Sequence, residues 1–194
     1  MARLERSLFL NYAVGFVSVP TRRWSPSHSF SQSFSQSISI MSQIEKKLEA
    51  LGLQLPPAPK PVGLYKPMLV VGNLAYLSGH GPLKSDGTII LGRVGADLDV
   101  EGGKAAAQQT ALAMLATLKA GLGSLDRVAR VVKLLGLVRC TDEFGQSPLV
   151  INGCSQVFVD LWGSDLGVGV RSALGTNSLP GGMAVEVEGI FEIQ

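Results

Sequence analysis

The chain has 194 residues, 46% of them hydrophobic and 16% charged, with a formal net charge of +2. This is apolar material for one sizeable core, so a single domain with a tail is expected, and no apolar run reaches the length of a membrane span. Residues 1–40 hold Arg3, Arg6, Arg22 and Arg23 against Glu5, a net of +3 that leaves −1 for the remainder; a domain so close to neutral, with no Lys/Arg block, is a poor candidate for nucleic-acid binding, because phosphate contacts need clustered positive charge.

The first 40 residues carry ten serines, four arginines and one acid. That composition predicts an organellar transit peptide. Leu4, Leu8 and Ala13 can share a helical face with Arg3 and Arg6 beside it, and the Ser-alternating stretch from Ser29 to Ser39 cannot pack a core. A secretory signal fits less well, because Asn11 interrupts the run from Leu8 to Val19 and no small-residue cleavage site follows. A mitochondrial address is expected ahead of a plastid one, and a cytoplasmic product if translation starts at Met41. The expected division is a leader over 1–41, a helix and Pro-rich connector over 42–60, and a folded domain over 61–194.

Ser42 and Glu45 form a capping box. It opens a helix with Ile44, Leu48 and Leu51 on one face, closed by Gly52. Pro56, Pro57, Pro59 and Pro61 make an extended connector. Met68–Val71 and Leu74–Ser78 flank Gly72-Asn73 and predict a β-hairpin. Ser85-Asp86-Gly87 turns the chain into a further strand at Thr88–Leu91. Asp99 caps a long helix whose Ala111, Leu115, Leu118 and Leu122 share a face, with Gly121 and Gly123 at its end. Val128–Val138 reads as a strand that is apolar on both sides, Val128, Val132, Leu134 and Val138 on one and Ala129, Val131, Leu135 and Leu137 on the other. Such a strand is covered on both faces. Ser147, followed by Pro148, is read as the cap of a helix reaching about Trp162, with Val150, Cys154, Phe158 and Leu161 inward. Strands follow near Gly169–Leu174 and Met183–Ile193. The order predicts an α+β fold, a mixed β-sheet with two helices on one face. The uncovered face then requires a second copy, so a homo-oligomer with its sheets inward is expected.

Chemistry-bearing residues are few. Past the leader there is one histidine, His80, so a His-based metal site is not expected. Cys140 and Cys154 imply no disulfide framework and read as small buried hydrophobes; a Cys154–His80 dyad is conceivable but carries little signal. Three features remain. Ser78-Gly79-His80-Gly81-Pro82 ends a strand, and its glycines suit either a bulge or the close approach of a ligand. Arg171 lies in an apolar stretch. It is a surface arginine, half of an internal salt bridge, or a fork waiting for a carboxylate. Glu186 and Glu188 share one face of the last strand and Val185 and Val187 the other.

These features, taken in order, resemble the RidA family (reactive-intermediate deaminase, also called YjgF or endoribonuclease L-PSP). Arg171-Ser172, a Gly/Leu-Pro turn and Val185-Glu186-Val187-Glu188-Gly189-Ile190 resemble its C-terminal signature. Val62-Gly63-Leu64-Tyr65 resembles its I-G-P-Y segment, Leu77-Ser78-Gly79-His80 its S-G-Q segment, and Asn152 its helix asparagine. The likeness spans about Pro61 to Ile193. Departures mark a divergent branch: His80 replaces the family's glutamine, Ala173 its cysteine, and the capping-box helix is extra. The resemblance implies a chorismate-mutase-like homotrimer with ligand clefts between subunits. It implies hydrolysis of 2-imino acids, such as those from 2-aminoacrylate, to 2-keto acids and ammonia. Arg171 would clamp the substrate carboxylate and Glu186 would hold or activate water, as the catalytic pair. Tyr65, Gly79, His80 and Asn152 would bind the substrate, a small carboxylate-bearing imine. No cofactor, metal, nucleic acid or membrane partner is expected. The alternative is a non-catalytic module of the same fold that binds a small molecule or a partner. The family's ribonuclease name sits poorly with the neutral charge.

Overall fold

The computed structural model describes residues 42–194; the expected leader, with its cleavage and address, lies outside the described residues. The described chain forms α1 (Gln43–Ala50), β1 (Met68–Val71), β2 (Leu74–His80), α2 (Val100–Leu122), β3 (Val128–Arg139), α3 (Ser147–Leu166), β4 (Val170–Thr176) and β5 (Val185–Ile193). The strands make one mixed sheet in the order β1-β2-β5-β3-β4, with β3 and β4 parallel and the other pairs antiparallel. Helices α2 and α3 pack together across one face. Among the described residues, no helix is long and apolar enough to cross a membrane.

Local rules set several of these elements. Ser42 Oγ accepts from the Glu45 amide while the Ser42 amide donates to the Glu45 carboxylate, so the capping box is formed. Ile44 and Leu48 are buried; Leu51, expected beside them, is the C-cap and is 47% exposed. Asp99 caps α2 by accepting from the Gly102 amide, and Gly123 closes it in the left-handed conformation. The Gly72-Asn73 hairpin pairs Val71 with Leu74. In contrast, Thr88–Leu91 forms no ladder. It makes isolated bridges from Ile89 to Leu83 and from Leu91 to Met183. Ser147 is not the cap of α3: Gln146 holds that position without a side-chain hydrogen bond, and Ser147 is buried. The helix breaks at Gly163, whose φ of 79° is non-helical, so its regular part ends at the expected Trp162.

The core lies between the sheet and the helix pair. Val150, Cys154, Phe158 and Leu161 all face it, as their spacing requires, and Phe158 meets Phe191 of β5 edge-on. Two register shifts in β3, near Arg130 and near Lys133, bring Val128, Val131 and Leu134 to the core at intervals of three. Each shift inserts one residue and reverses the alternation. Val131 is therefore packed within its own chain, and the half-buried Val132 belongs to the opposite face. That reverses the assignment a strict period of two gives these residues. The face away from the helices presents Leu135 and Leu137 of β3, Tyr76 of β2 and Val170 and Leu174 of β4, several of them 40–68% exposed.

Candidate functional site

Arg171 stands opposite Leu134 in the parallel β3–β4 ladder, on the side the helices cover. Its guanidinium reaches α3. Nη1 donates to Asn152 Oδ1 at 3.0 Å and to Ser155 Oγ at 2.9 Å, and Nη2 donates to the Pro148 carbonyl at 3.3 Å. Asn152 and Ser155 are three apart on the helix and so share a face; that spacing could have identified Ser155 alongside Asn152. All three acceptors are uncharged. The guanidinium is thus held in place without being neutralised, and Nε is not used in these contacts. A cleft of about 570 Å³ opens here between Asn152, Ser155 and the Gly167–Gly169 turn.

Glu186 stands opposite Leu137 in the β3–β5 ladder. Leu134 and Leu137 are three residues apart on a regular stretch of β3, so they face opposite sides of the sheet. Glu186 is consequently on the open face, while Arg171 is on the helix face. The two positions are also separated by about 10 Å along the strands and about 10 Å across them. Glu186 is not the salt-bridge partner of Arg171. It is half-buried, and burial, followed by repulsion from Glu188, pushes its carboxyl above the usual carboxylate range. Such a group can exchange a proton nearer neutrality than an ordinary glutamate.

The Ser78-Gly79-His80 motif explains how Glu186 is accommodated. A register shift between Leu77 and His80 forms a bulge, which turns both Leu77 and His80 toward the core and Gly79 toward the open face. The Glu186 carboxyl lies directly over the Gly79 α-carbon, where any side chain would collide with it. Tyr65 and Gly79 share the wall of a second, smaller cavity at this end of the sheet. The segment before β1 is tied down by Ser78 Oγ, which donates to the Lys66 carbonyl at 2.7 Å, and by the Ser78 amide, which donates to the Pro67 carbonyl.

His80 is placed differently from a ligand-binding side chain. Its ring is buried, with Nδ1 2.6 Å from the Ser78 carbonyl and Nε2 2.8 Å from Thr117 Oγ1 on α2. A carbonyl can only accept, so Nδ1 carries the proton and Nε2 accepts from the Thr117 hydroxyl. Burial holds its pKa below the ordinary 6.5 and favours this neutral form. Neither ring nitrogen is left for a ligand. Cys154 is buried in α3, its thiol pushed up to about 12 by burial despite nearby Arg171. It is no nucleophile at neutral pH, which removes the Cys154–His80 dyad.

A single chain therefore brings Arg171, Asn152 and Ser155 together on one side, and Glu186 over Gly79, which shares a cavity wall with Tyr65, on the other. The mixed sheet backed by a helix pair, with its arginine and glutamate on opposite faces, defines an α+β protein of chorismate-mutase-like type. The family described as "YjgF/chorismate_mutase-like, putative endoribonuclease" matches residues 45–180, and the chain belongs to that family. Protein TCP17 of Trypanosoma cruzi is 36% identical over 151 residues, covering 78% of this chain and 94% of that protein. The crystal structure of Atu1372, a protein of unknown function from Agrobacterium tumefaciens, is 40% identical. It covers 78% of this chain and 92% of its own, with a TM-score of 0.72. RidA from the Antarctic bacterium Psychrobacter sp. PAMC 21119 is 28% identical over 72% of this chain and 97% of its own, with a TM-score of 0.51.

Proposed function

We propose that this protein hydrolyses 2-imino acids to 2-keto acids and ammonia, at sites completed between the copies of a homotrimer. The observation that carries this reading is the state of Arg171, a cation fixed by three uncharged acceptors and lacking a carboxylate partner among the described residues. A guanidinium held this way is prepared for an incoming carboxylate. The second support is the position of Glu186, a carboxyl of raised pKa on the face that a neighbouring copy would cover.

In this mechanism Arg171 of one copy binds the substrate carboxylate, and Glu186 of its neighbour stands beside the imine carbon. Glu186 takes a proton from water as the oxygen attacks that carbon, and the C=N electron pair moves to nitrogen. A C–O bond forms, giving a carbinolamine. Glu186 returns that proton to the nitrogen, leaving the carbinolamine neutral. Glu186 then takes the hydroxyl proton and delivers it to the amine as the C=O bond forms and the C–N bond breaks, so ammonia leaves and a keto group remains. The net reaction consumes one water per imine. The imine carbon is already electrophilic, so the steps need only positioning and proton transfer. A ribonuclease reading is less well supported, since Glu186 and Glu188 stand side by side on the open face and would repel phosphate.

The test is ammonia release by the purified full chain from 2-imino acids generated in situ by an amino-acid oxidase. Release above the uncatalysed rate is expected. Rates equal to the uncatalysed reaction, with retained binding of 2-keto acids, would instead favour a non-catalytic binding module.

A further inference from the structure

His80 takes no part in the proton transfers, yet its two hydrogen bonds lead to the seat of Glu186. In the β2–β5 ladder Leu77 pairs with Gly189 and His80 with Val187, so Ser78 and Gly79 together stand against Glu188 alone. The inserted residue takes Ser78 out of the regular pairing. Its amide donates to the Pro67 carbonyl at 3.1 Å, its hydroxyl donates to the Lys66 carbonyl at 2.7 Å, and its carbonyl accepts from His80 Nδ1 at 2.6 Å. None of these bonds goes to β5. A carbonyl that a bulge withdraws from the ladder needs another donor where protein shields it from water, and the imidazole supplies one.

The other end of the ring is fixed to a different layer. Nε2 meets Thr117 Oγ1 at 2.8 Å, and Thr117 is itself buried in α2. Thr117, the ring and the Ser78 carbonyl thus form a strut from helix to sheet that ends one residue before Gly79. Glu186 lies over Gly79, so close that a Cβ there would overlap its carboxyl. The height of the bulge therefore sets where that carboxyl can rest. Proton transfer is sensitive to such placement, since a displacement of about 1 Å can cost about 100-fold in rate. Resting on the hydrolysis reading above, we propose that His80, anchored by Thr117, is a positioning residue for Glu186: it holds the Ser78–Gly79 bulge at the height that sets the carboxyl against the imine carbon. A glutamine at position 80 offers the same donor and acceptor, and a leucine offers neither.

Thr117→Val nearly keeps the side-chain shape and removes the hydroxyl donor, whereas Thr117→Ser keeps the hydroxyl. In the full chain, with 2-imino acids generated in situ, Thr117→Val should lower kcat about tenfold with KM within about twofold of the parent, because Arg171 still binds the carboxylate. Thr117→Ser and His80→Gln should retain most of kcat, and His80→Leu should not. An unchanged kcat in Thr117→Val, or a loss carried by KM, would overturn this inference and leave the hydrolase reading standing. If the parent hydrolyses no imine, that reading fails by itself, and the strut is judged on the Glu186 carboxyl, followed by carbon-13 NMR against pH. A carboxyl released from its seat gains solvent, so its raised pKa should fall toward 4.5 in Thr117→Val and be kept in Thr117→Ser. An unchanged titration in Thr117→Val would refute the positioning role.

Discussion

Variants of Arg171 separate the proposed carboxylate site from a structural ion pair. Its partners are neutral, so its removal leaves no buried charge stranded, and Arg171→Ala is expected to fold with a Tm close to the parent. Loss of the bidentate contact should lower turnover efficiency by roughly 30- to 1000-fold, or about 2–4 kcal/mol. Arg171→Lys should recover little, because an ammonium lacks the planar fork. Steady-state kinetics and thermal melts on both variants check this. Glu186 works in the opposite sense on stability. Its folded pKa lies above the ordinary 4.5, so ionising it disfavours the fold as pH rises from about 4.5 through the raised value. Glu186→Gln should therefore be at least as stable as the parent at pH 7, with the difference closing toward pH 4, while kcat falls more than affinity. His80 has a depressed pKa, and burial is its cause. The unfolded chain takes up a proton first as pH falls below 6.5, so stability declines from there until the folded pKa is passed. His80→Gln, which can keep both hydrogen bonds, should flatten that decline in denaturant titrations at pH 7 and pH 5.

At the scale of elements, α1 is fastened as well as capped. Asp126, just before β3, accepts from the Gln43 and Ile44 amides at 2.9 and 3.0 Å. Lys47 Nζ donates to the Leu161 carbonyl at 2.6 Å, near the break in α3, and Glu45 pairs with Lys119 of α2 at 2.9 Å. Burial opposes ionisation of Asp126, yet the amides of Ile44 and Gln43, with the Ser42 hydroxyl and nearby Lys46, together hold its pKa down. Asp126→Ala removes a helix N-terminal acceptor and should cost about 1 kcal/mol, with faster amide exchange over 43–50 as the specific readout. The capping box, the Gly72-Asn73 hairpin and the Gly123 stop were all legible in the sequence, because each rests on residues within a few positions of one another. The two bulges in β3 were not, whereas the glycines at Ser78-Gly79-His80 did suggest the one in β2. An inserted residue carries no fixed residue type, so Val131 and Val132 exchange faces without any local mark. Thr88–Leu91 has strand-like residues but no neighbouring strand to complete a ladder, which only tertiary placement decides. At the site, Arg171 and Glu186 stood out by chemistry. Their opposite facing depended on the register of two ladders across β3, which a linear reading cannot supply. Ser155 was passed over although it follows Asn152 by one helical step; only the contact of both with Arg171 shows that the pair acts together.

For the whole molecule, the open sheet face is what joins these observations. It carries Leu135, Leu137, Tyr76 and Leu174 around Glu186, and the proposed trimer would cover it with neighbouring copies. Leu135→Asp should break that assembly into monomers in sedimentation velocity, since a charge there would be left unpaired on burial, and ammonia release should be lost with it. Each proposed site takes Arg171 from one copy and Glu186 from another, which co-assembly of two inactive variants can show. Arg171→Ala and Glu186→Gln, each inactive alone, would be mixed in equal amounts, dissociated and reassembled. In a cyclic trimer every mixed assembly regains one intact site of three, so about a quarter of parental activity is predicted. No recovery, despite verified formation of mixed trimers, would place both residues' roles within a single chain and rule out a site shared between copies.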